Sequence, residues 1–311
     1  MNVIHAPAEL DAGSRKVCSA IGFFDGVHLG HQHILRQTIS DAAHHGAWSV
    51  AVTFDHHPNV VVAPARVPPL IYPLSKKLRV LASLGVDAAC VLHFDKPLSE
   101  KSGEQFSRDL AAGFKRLKSI SVGRAFTFGH RRSGNVELLM AVGEELKFRV
   151  HAVAELRLDG EPVSSTRVRE LVAAGDFDLA GQMLGRPYSL VARVVKGAGI
   201  GRQLGFATAN LDISGLLTPP GGVYAASAEA GGQIYRAAVN IGRRPTVQPA
   251  APDLQVEAHL LDFEGDLQGQ ELEITFVKKL RDEQKFPSLA ALRDQIAKDV
   301  AQVRQLPDRN G

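Results

Sequence analysis

The chain has 311 residues, 45% of them hydrophobic and 22% charged, with a formal net charge of +3. These values suit about two ordinary folded domains and exclude a disordered chain. Aromatic residues are only 6% and the basic clusters, Lys115 to Lys118 and Gly129 to Gly134, are short. No nucleic-acid partner is therefore expected, and small polyphosphate ligands suit such clusters better.

The first residues, "MNVIHAPAELDAG", carry acids and a proline where a signal peptide needs a basic start and an apolar run. No segment approaches the roughly 18 consecutive apolar residues of a membrane span. A cytoplasmic protein with no membrane partner is expected. The first half alternates apolar runs with helical patterns. "VCSAIGF", "WSVAVTF", "DAACVLHF", "SISVG" and "FRVHAVAE" read as buried strands. Cys18 and Cys90 lie within two of these runs, which predicts buried thiols rather than a disulfide or a metal site. Ile34, Leu35, Thr38, Ile39 and Ala42 share a helical face that Gly46 ends, and Leu138, Leu139, Val142 and Leu146 mark another. Strand, helix, strand in succession implies an α/β unit with a mostly parallel sheet, whose ligands sit at the carboxyl ends of the strands.

Beyond Gly185 the texture changes. "YSLVARVV", "VYAASAEA", "QIYRAAVNI", "LQVEAHLLDF" and "ELEITFVKKL" follow one another through loops rich in glycine and proline, which predicts an antiparallel β-barrel. Leu289, Leu292, Ile296, Val300 and Val303 mark a closing C-terminal helix with Ser288 as its N-cap. The expected domains are 1–184 and 185–311. The sequence leaves the oligomeric state open.

The stretch "GFFDGVHLGHQHIL" places Gly22, Gly26 and Gly30 within nine residues, with His28 and His31 among them, at a strand-to-helix junction. Two histidines three apart fit a metal, a proton relay, a phosphate site or plain loop polarity. A metal needs further ligands, and neither cysteine nor His33, on another helical face, is placed to help. A phosphate fits better, because a helix start presents unpaired N–H groups and glycines allow close approach. Neither common phosphate fingerprint is present: "KGAGIGRQLG" satisfies neither GxGxxG nor GxxxxGK[ST].

"GFFDGVHLGHQHIL" resembles the HxGH motif of the nucleotidyltransferase superfamily, and "VSSTRVRELV" resembles its ISSTxIR motif. With "VTFDHHP" and "GRAFTFGHRRSGN" they resemble the bifunctional prokaryotic riboflavin kinase/FMN adenylyltransferase (FAD synthetase) family. "GIGRQLGFATANL", "GVYAA", "VNIGRRPTV", "VEAHLLDFEGDLQG" and "LRDEQKFPSLAALRDQIAKDV" extend the likeness through the second half. It runs from about Ser19 to Arg304.

The resemblance implies a Rossmann-like nucleotidyltransferase domain followed by a riboflavin kinase barrel. It implies ATP-dependent phosphorylation of riboflavin to FMN, then adenylyl transfer from ATP to FMN, giving FAD and pyrophosphate. ATP is then co-substrate, riboflavin and FMN are the acceptors, FMN is also the intermediate and FAD the product. His28 and His31 would bond phosphate oxygens, and Ser165, Thr166 and Arg169 would grip the triphosphate. Gly22, Phe24, Asp25, Gly26, Gly30, Phe54 and Pro58 would shape the ATP and flavin pockets. In the second domain Glu257 would be the catalytic base, with Thr208 and Asn210 holding Mg²⁺ and its nucleotide. Gly201, Arg202 and Gly205 would belong to a flap over the phosphates.

By the residues alone, "SST" is only a helix cap, and a carboxylate on a barrel strand is usually a solvated outward residue. Alternation puts Glu257 and His259 on one strand face and Val256, Ala258 and Leu260 on the other. Four positions depart from the family pattern. Ala125 stands where Asp or Asn is usual, His56 and Ala207 where proline is, and Gln268 where tyrosine is common. Losing the proline at 207 should cost about 0.4–1 kcal/mol of preorganisation. Both activities are expected to survive. The rivals are an FAD synthetase with an impaired kinase domain, a nucleotidyltransferase for another acceptor, and a non-catalytic flavin-binding regulator.

Overall fold

The structure, a computed structural model, describes residues 1–197, 200–243 and 254–306. The chain divides into two compact units, Met1–Arg167 and Val168–Gly311. Among the described residues no helix is long and apolar enough to cross a membrane.

In the first unit the strands are β1 Asn2–Ile4, β2 Val17–Ile21, β3 Trp48–Phe54, β4 Ala88–Leu92, β5 Leu117–Gly123 and β6 Arg149–Val153. They form one sheet in the order β1-β4-β3-β2-β5-β6, and every pair is parallel. Both faces are covered, which is why β2 (VCSAI) is buried at every position and reads as an unbroken apolar run. Val17, Ile21, Val50 and Ile120 pack on one side with Phe106, Leu110, Leu139 and Val142. Ala20, Ala51 and Ala89 pack on the other with Leu35, Val80 and Leu81. The helices of this unit are α1 Leu29–His45, the short α2 Asn59–Val62, α3 Leu74–Ser83, the short α4 Lys96–Glu100, α5 Gly103–Phe114 and α6 Val136–Leu146. Gly46 ends α1 with φ 58°, a left-handed value suited to glycine. Strand order reverses between β2 and β5, so the crevice for a ligand opens beyond their carboxyl ends. "GFFDGVH" leaves the end of β2 there.

A small hairpin, β7 Arg157–Leu158 with β8 Glu161–Pro162, precedes α7 Ser165–Ala174 and α8 Phe177–Leu184. In the second unit, β9 Ser189–Val195, the short α9 Ile200–Gln203, β10 Ala209–Asp212, β11 Gly222–Ala230, β12 Gln233–Arg243, β13 Leu254–Leu260 and β14 Glu271–Arg281 follow. The six strands close an antiparallel barrel in the order β10-β13-β12-β11-β14-β9. Phe177 from α8 stacks on Tyr188 and Phe276, and Tyr224 meets both Phe177 and Phe276 edge-on. α10 Leu289–Gln305 closes the unit, with the Ser288 hydroxyl accepting from the Ala291 amide as expected of an N-cap.

The parallel sheet, the closed barrel and the capped C-terminal helix agree with the sequence reading. Cys18 and Cys90 are free and buried, and burial pushes their thiols up to about 11 and about 12. Several elements are absent from that reading, β1, β10 and α3 among them. β1 has three residues and β10 four, too few for a periodic signal. α3 buries Lys77, Val80 and Leu81 on one stripe, and the lysine breaks the apolar pattern.

Candidate functional site

At the end of β2 the backbone turns abruptly. Phe24, Gly26 and Val27 all have positive φ, at 54°, 74° and 41°. A side chain at Gly22 would come within 2.8 Å of the Phe24 ring, so the strand end admits only hydrogen there. Asp25 is buried, and its carboxylate accepts from the amides of Ile71 (3.1 Å) and Tyr72 (3.2 Å). That ties the turn to the segment leading into α3.

His28 caps α1. Its Nδ1 accepts the His31 amide at 3.3 Å, which places the proton of a neutral ring on Nε2. The His28 and His31 rings stack at 3.6 Å and 20°, and Phe24 meets His31 edge-on at 5.3 Å. Burial, then the neighbouring His28 and Lys77, hold His31 well below the usual histidine range. His31 Nδ1 is itself buried and has no hydrogen-bond partner among the described residues. A buried orphan nitrogen costs stability unless a ligand satisfies it. His33 is exposed on another face of the helix.

The second motif packs against this turn. Ser165 donates to the Asp25 carbonyl at 3.0 Å, and a side chain at Gly30 would lie 3.2 Å from both the His28 ring and the Val163 carbonyl. Two segments about 140 positions apart in sequence thus meet. Ser164 Oγ accepts the Arg167 amide at 3.3 Å, Thr166 is exposed, and Arg169 lies further along α7, half-buried.

Beside the turn lies a cavity of about 590 Å³, lined by Phe23, Phe54, Pro58, Phe94, Phe126 and Phe128 with the 129–132 loop. Its size and aromatic walls suit a flat apolar ring system. Phe54 and Pro58 line it, whereas Phe24, Asp25, His28 and His31 do not. The histidines stand at the helix start and the aromatics around the cavity.

On the barrel, Val256, Ala258 and Leu260 are buried while Glu257 and His259 are half-buried on the other face, as strand alternation predicts. Register puts Asn210 of β10 and Asn240 of β12 directly opposite Glu257, one on either side. Directly opposed residues point to the same face, so the carboxylate stands between two carboxamides. Glu257, Asn240, Thr208, Phe206 and His259 line a cavity of about 390 Å³, closed by Leu292 and Ile296 of α10. His259 Nδ1 donates to the Ala207 carbonyl at 2.8 Å, fixing the segment that carries Thr208. Arg281 and Asp299, both on the wall, form a two-pronged ion pair at 2.8–3.1 Å.

Two glycines here lie in close approach, Gly201 to backbone and Gly197 to a side chain. A side chain at Gly201 would meet the Phe206 carbonyl at 2.5 Å, and one at Gly197 would overlap the Asn210 amide at 2.0 Å. Gly205 turns the chain at φ 88°. Gly199 and the Arg202 side chain, also expected in a flap, lie outside the described residues.

Residues 11–167 match the FAD synthetase family and residues 184–306 the riboflavin kinase family. The chain is 38% identical over 306 residues to the bifunctional riboflavin kinase/FMN adenylyltransferase of Pseudomonas fluorescens, covering 98% of each. It is 35% identical over 307 residues to the protein of the same name from Escherichia coli K12, covering 98% of this chain and 97% of the relative. The chain belongs to the bifunctional riboflavin kinase/FMN adenylyltransferase family. A crystal structure described as a macrolide-efflux protein from Streptococcus pneumoniae has the same fold, with a TM-score of 0.82 at 27% identity, covering 98% of this chain and 99% of that one.

Two residues of this family member carry structure that the sequence reading passed over. Lys77 is buried and its ammonium donates to the Phe23 carbonyl (3.1 Å), the Phe54 carbonyl (3.0 Å) and Thr53 Oγ1 (3.0 Å). It links the chain leaving β2 to the chain leaving β3. Burial lowers its pKa to about 8, against the pull of Asp25 and Asp55. A lysine on the apolar stripe of a helix was the available signal. Asn240 was visible only as part of "VNIGRR", and barrel register is what places it beside Glu257.

Proposed function

We propose that the chain divides two reactions between its two units, riboflavin phosphorylation on the barrel and FMN adenylylation on the parallel sheet. ATP phosphorylates riboflavin to FMN. A second ATP donates its adenylyl group to FMN, giving FAD and pyrophosphate. The observation carrying this division is that each unit has a cavity of its own beside a polar cluster of its own.

On the first unit, an FMN phosphate oxygen attacks the α-phosphorus and the bond to the pyrophosphate oxygen breaks. No group on the protein need be covalently modified, so positioning and charge stabilisation supply the catalysis. His28, with its proton on Nε2, and His31, whose Nδ1 lacks a partner, are suited to contact phosphate oxygens as negative charge moves to the leaving pyrophosphate. The start of α1 adds its partial positive charge. Ser165, Thr166 and Arg169 complete the grip on the triphosphate. Gly22, Phe24, Asp25, Gly26 and Gly30 set the shape of the turn, and Phe54 and Pro58 form the flavin wall.

On the barrel, Glu257 takes the proton of the ribityl 5′-hydroxyl as that oxygen attacks the γ-phosphorus, and the bond from that phosphorus to the departing ADP oxygen breaks. Asn210 and Asn240 orient the carboxylate. Thr208, just ahead of β10, and Asn210 within it line one cavity and offer two neutral hard oxygens, a donor set that fits Mg²⁺ with room left for phosphate and water. When bound, Mg²⁺ supplies neutralisation of phosphate charge. Gly201, Arg202 and Gly205 would cover the phosphates. The functional boundary is placed between residues 184 and 185, ahead of the barrel. Two buried free thiols support residence in the reducing cytoplasm.

Incubating the purified chain with riboflavin, ATP and Mg²⁺ and separating the flavins by chromatography tests this reading. FMN should appear first and FAD after it. FAD formed from FMN, with riboflavin left untouched, would leave the barrel without its activity.

A further inference from the structure

β3 and β4 are parallel neighbours whose last paired residues are Phe54 and Leu92. Asp55 and His93 are therefore the first residues past the end of each strand, and the Asp55 amide still donates to the Leu92 carbonyl at 3.1 Å. The Asp55 carboxylate is flanked on both sides by imidazole. Oδ2 lies 2.5 Å from His93 Nδ1 and Oδ1 lies 2.7 Å from His56 Nδ1. Ligand atoms of all three side chains fall within 4.8 Å of one another. Two backbone amides, of His56 (2.9 Å) and Phe94 (3.2 Å), hold the carboxylate in place. None of these three side chains has a part in the two reactions above.

We propose that Asp55, His56 and His93 form a binding site for one divalent transition cation, with zinc the best match. Two imidazole nitrogens and one carboxylate oxygen are the donors of zinc, cobalt and nickel sites, whereas Mg²⁺ takes oxygen ligands and keeps its water. Three protein ligands leave one position open to solvent. At metal–ligand distances of about 2.0–2.1 Å the donors would stand roughly 3.3 Å apart, so each contact must open by somewhat under 1 Å. His93 can make that adjustment, because its side chain is 70% exposed. The cation would replace the protons now shared between carboxylate and imidazoles.

The position gives the site a consequence. Phe54 and Phe94, immediately next to Asp55 and His93, meet edge-on at 5.2 Å and both line the aromatic cavity. A cation held here joins the two loops that carry that wall. His56 supplies the third ligand.

Cobalt is the probe. Untagged full-length chain, stripped with a chelator, is titrated with Co²⁺ while its visible d–d absorption is followed. One equivalent should bind, Zn²⁺ should displace it, and excess Mg²⁺ should not. His56→Ala and His93→Ala should each weaken Co²⁺ affinity about tenfold or more, on the scale of perturbed metal shells, with circular dichroism unchanged. His28→Ala should bind Co²⁺ as the parent does. Absence of a bound equivalent overturns the proposal. So does parental affinity in both His56→Ala and His93→Ala, or a loss that follows His28→Ala instead.

Discussion

The two units build their polar clusters by opposite means. In the parallel-sheet unit the residues come from chain that has left a strand: the turn after β2, the cap of α1 and the start of α7. In the barrel they stand on the strands themselves, with Asn210, Glu257 and Asn240 side by side across β10, β13 and β12. The first arrangement depends on backbone shape, with glycines and left-handed residues aiming a helix start. The second depends on register, because a slip of one residue would turn Glu257 into the barrel and Val256 out of it.

Substitutions can break this contrast. Glu257→Gln should give the largest effect, with riboflavin phosphorylation falling by about 10²–10⁴-fold while FMN adenylylation holds, both read by flavin chromatography. His31→Ala should lower FAD formation by about 10²–10³-fold and leave phosphorylation unchanged. Loss of both activities in a folded variant of either kind would refute the division of labour.

Lys77→Met sharpens the comparison from the stability side. It leaves two carbonyls and a hydroxyl without their donor inside the parallel-sheet unit, and should cost about 1–3 kcal/mol in urea unfolding of the full chain. A smaller effect concerns pH. His31 is kept neutral by burial, well below its ordinary value of 6.5. Its contribution to stability is thus full above pH 6.5 and is lost as pH falls below that value toward the folded one. Melting curves recorded from pH 7 down to about pH 5 should fall more steeply for the parent than for His31→Gln. Equal slopes would mean that the ring is not held neutral.

Much of this architecture was readable from the residues. The inner strands β2, β3 and β4 are nearly continuous apolar runs because both faces are covered, and "GVHLGH" stands out because glycines crowd a strand-to-helix junction. Glu257 and His259 separate from Val256, Ala258 and Leu260 by simple alternation. Long-range pairing was not readable. Nothing local to Ser165 announces the Asp25 carbonyl, and nothing local to Asn240 announces Glu257. Lys77 was concealed because its charge interrupts the stripe by which α3 could be recognised. Asp55, His56 and His93 converge only once β3 and β4 are known to be neighbours.

The Arg281–Asp299 pair gives the last helix a second duty besides covering apolar surface. Leu292, Ile296 and Asp299 all come from α10 and all border the cavity that holds Glu257. A nonsense codon or a protease cut ahead of Leu289 would strip away that wall and strand the guanidinium of Arg281, a side chain only 16% exposed. A clipped chain would therefore forfeit flavokinase activity while Asn210, Glu257 and Asn240 remained in the chain.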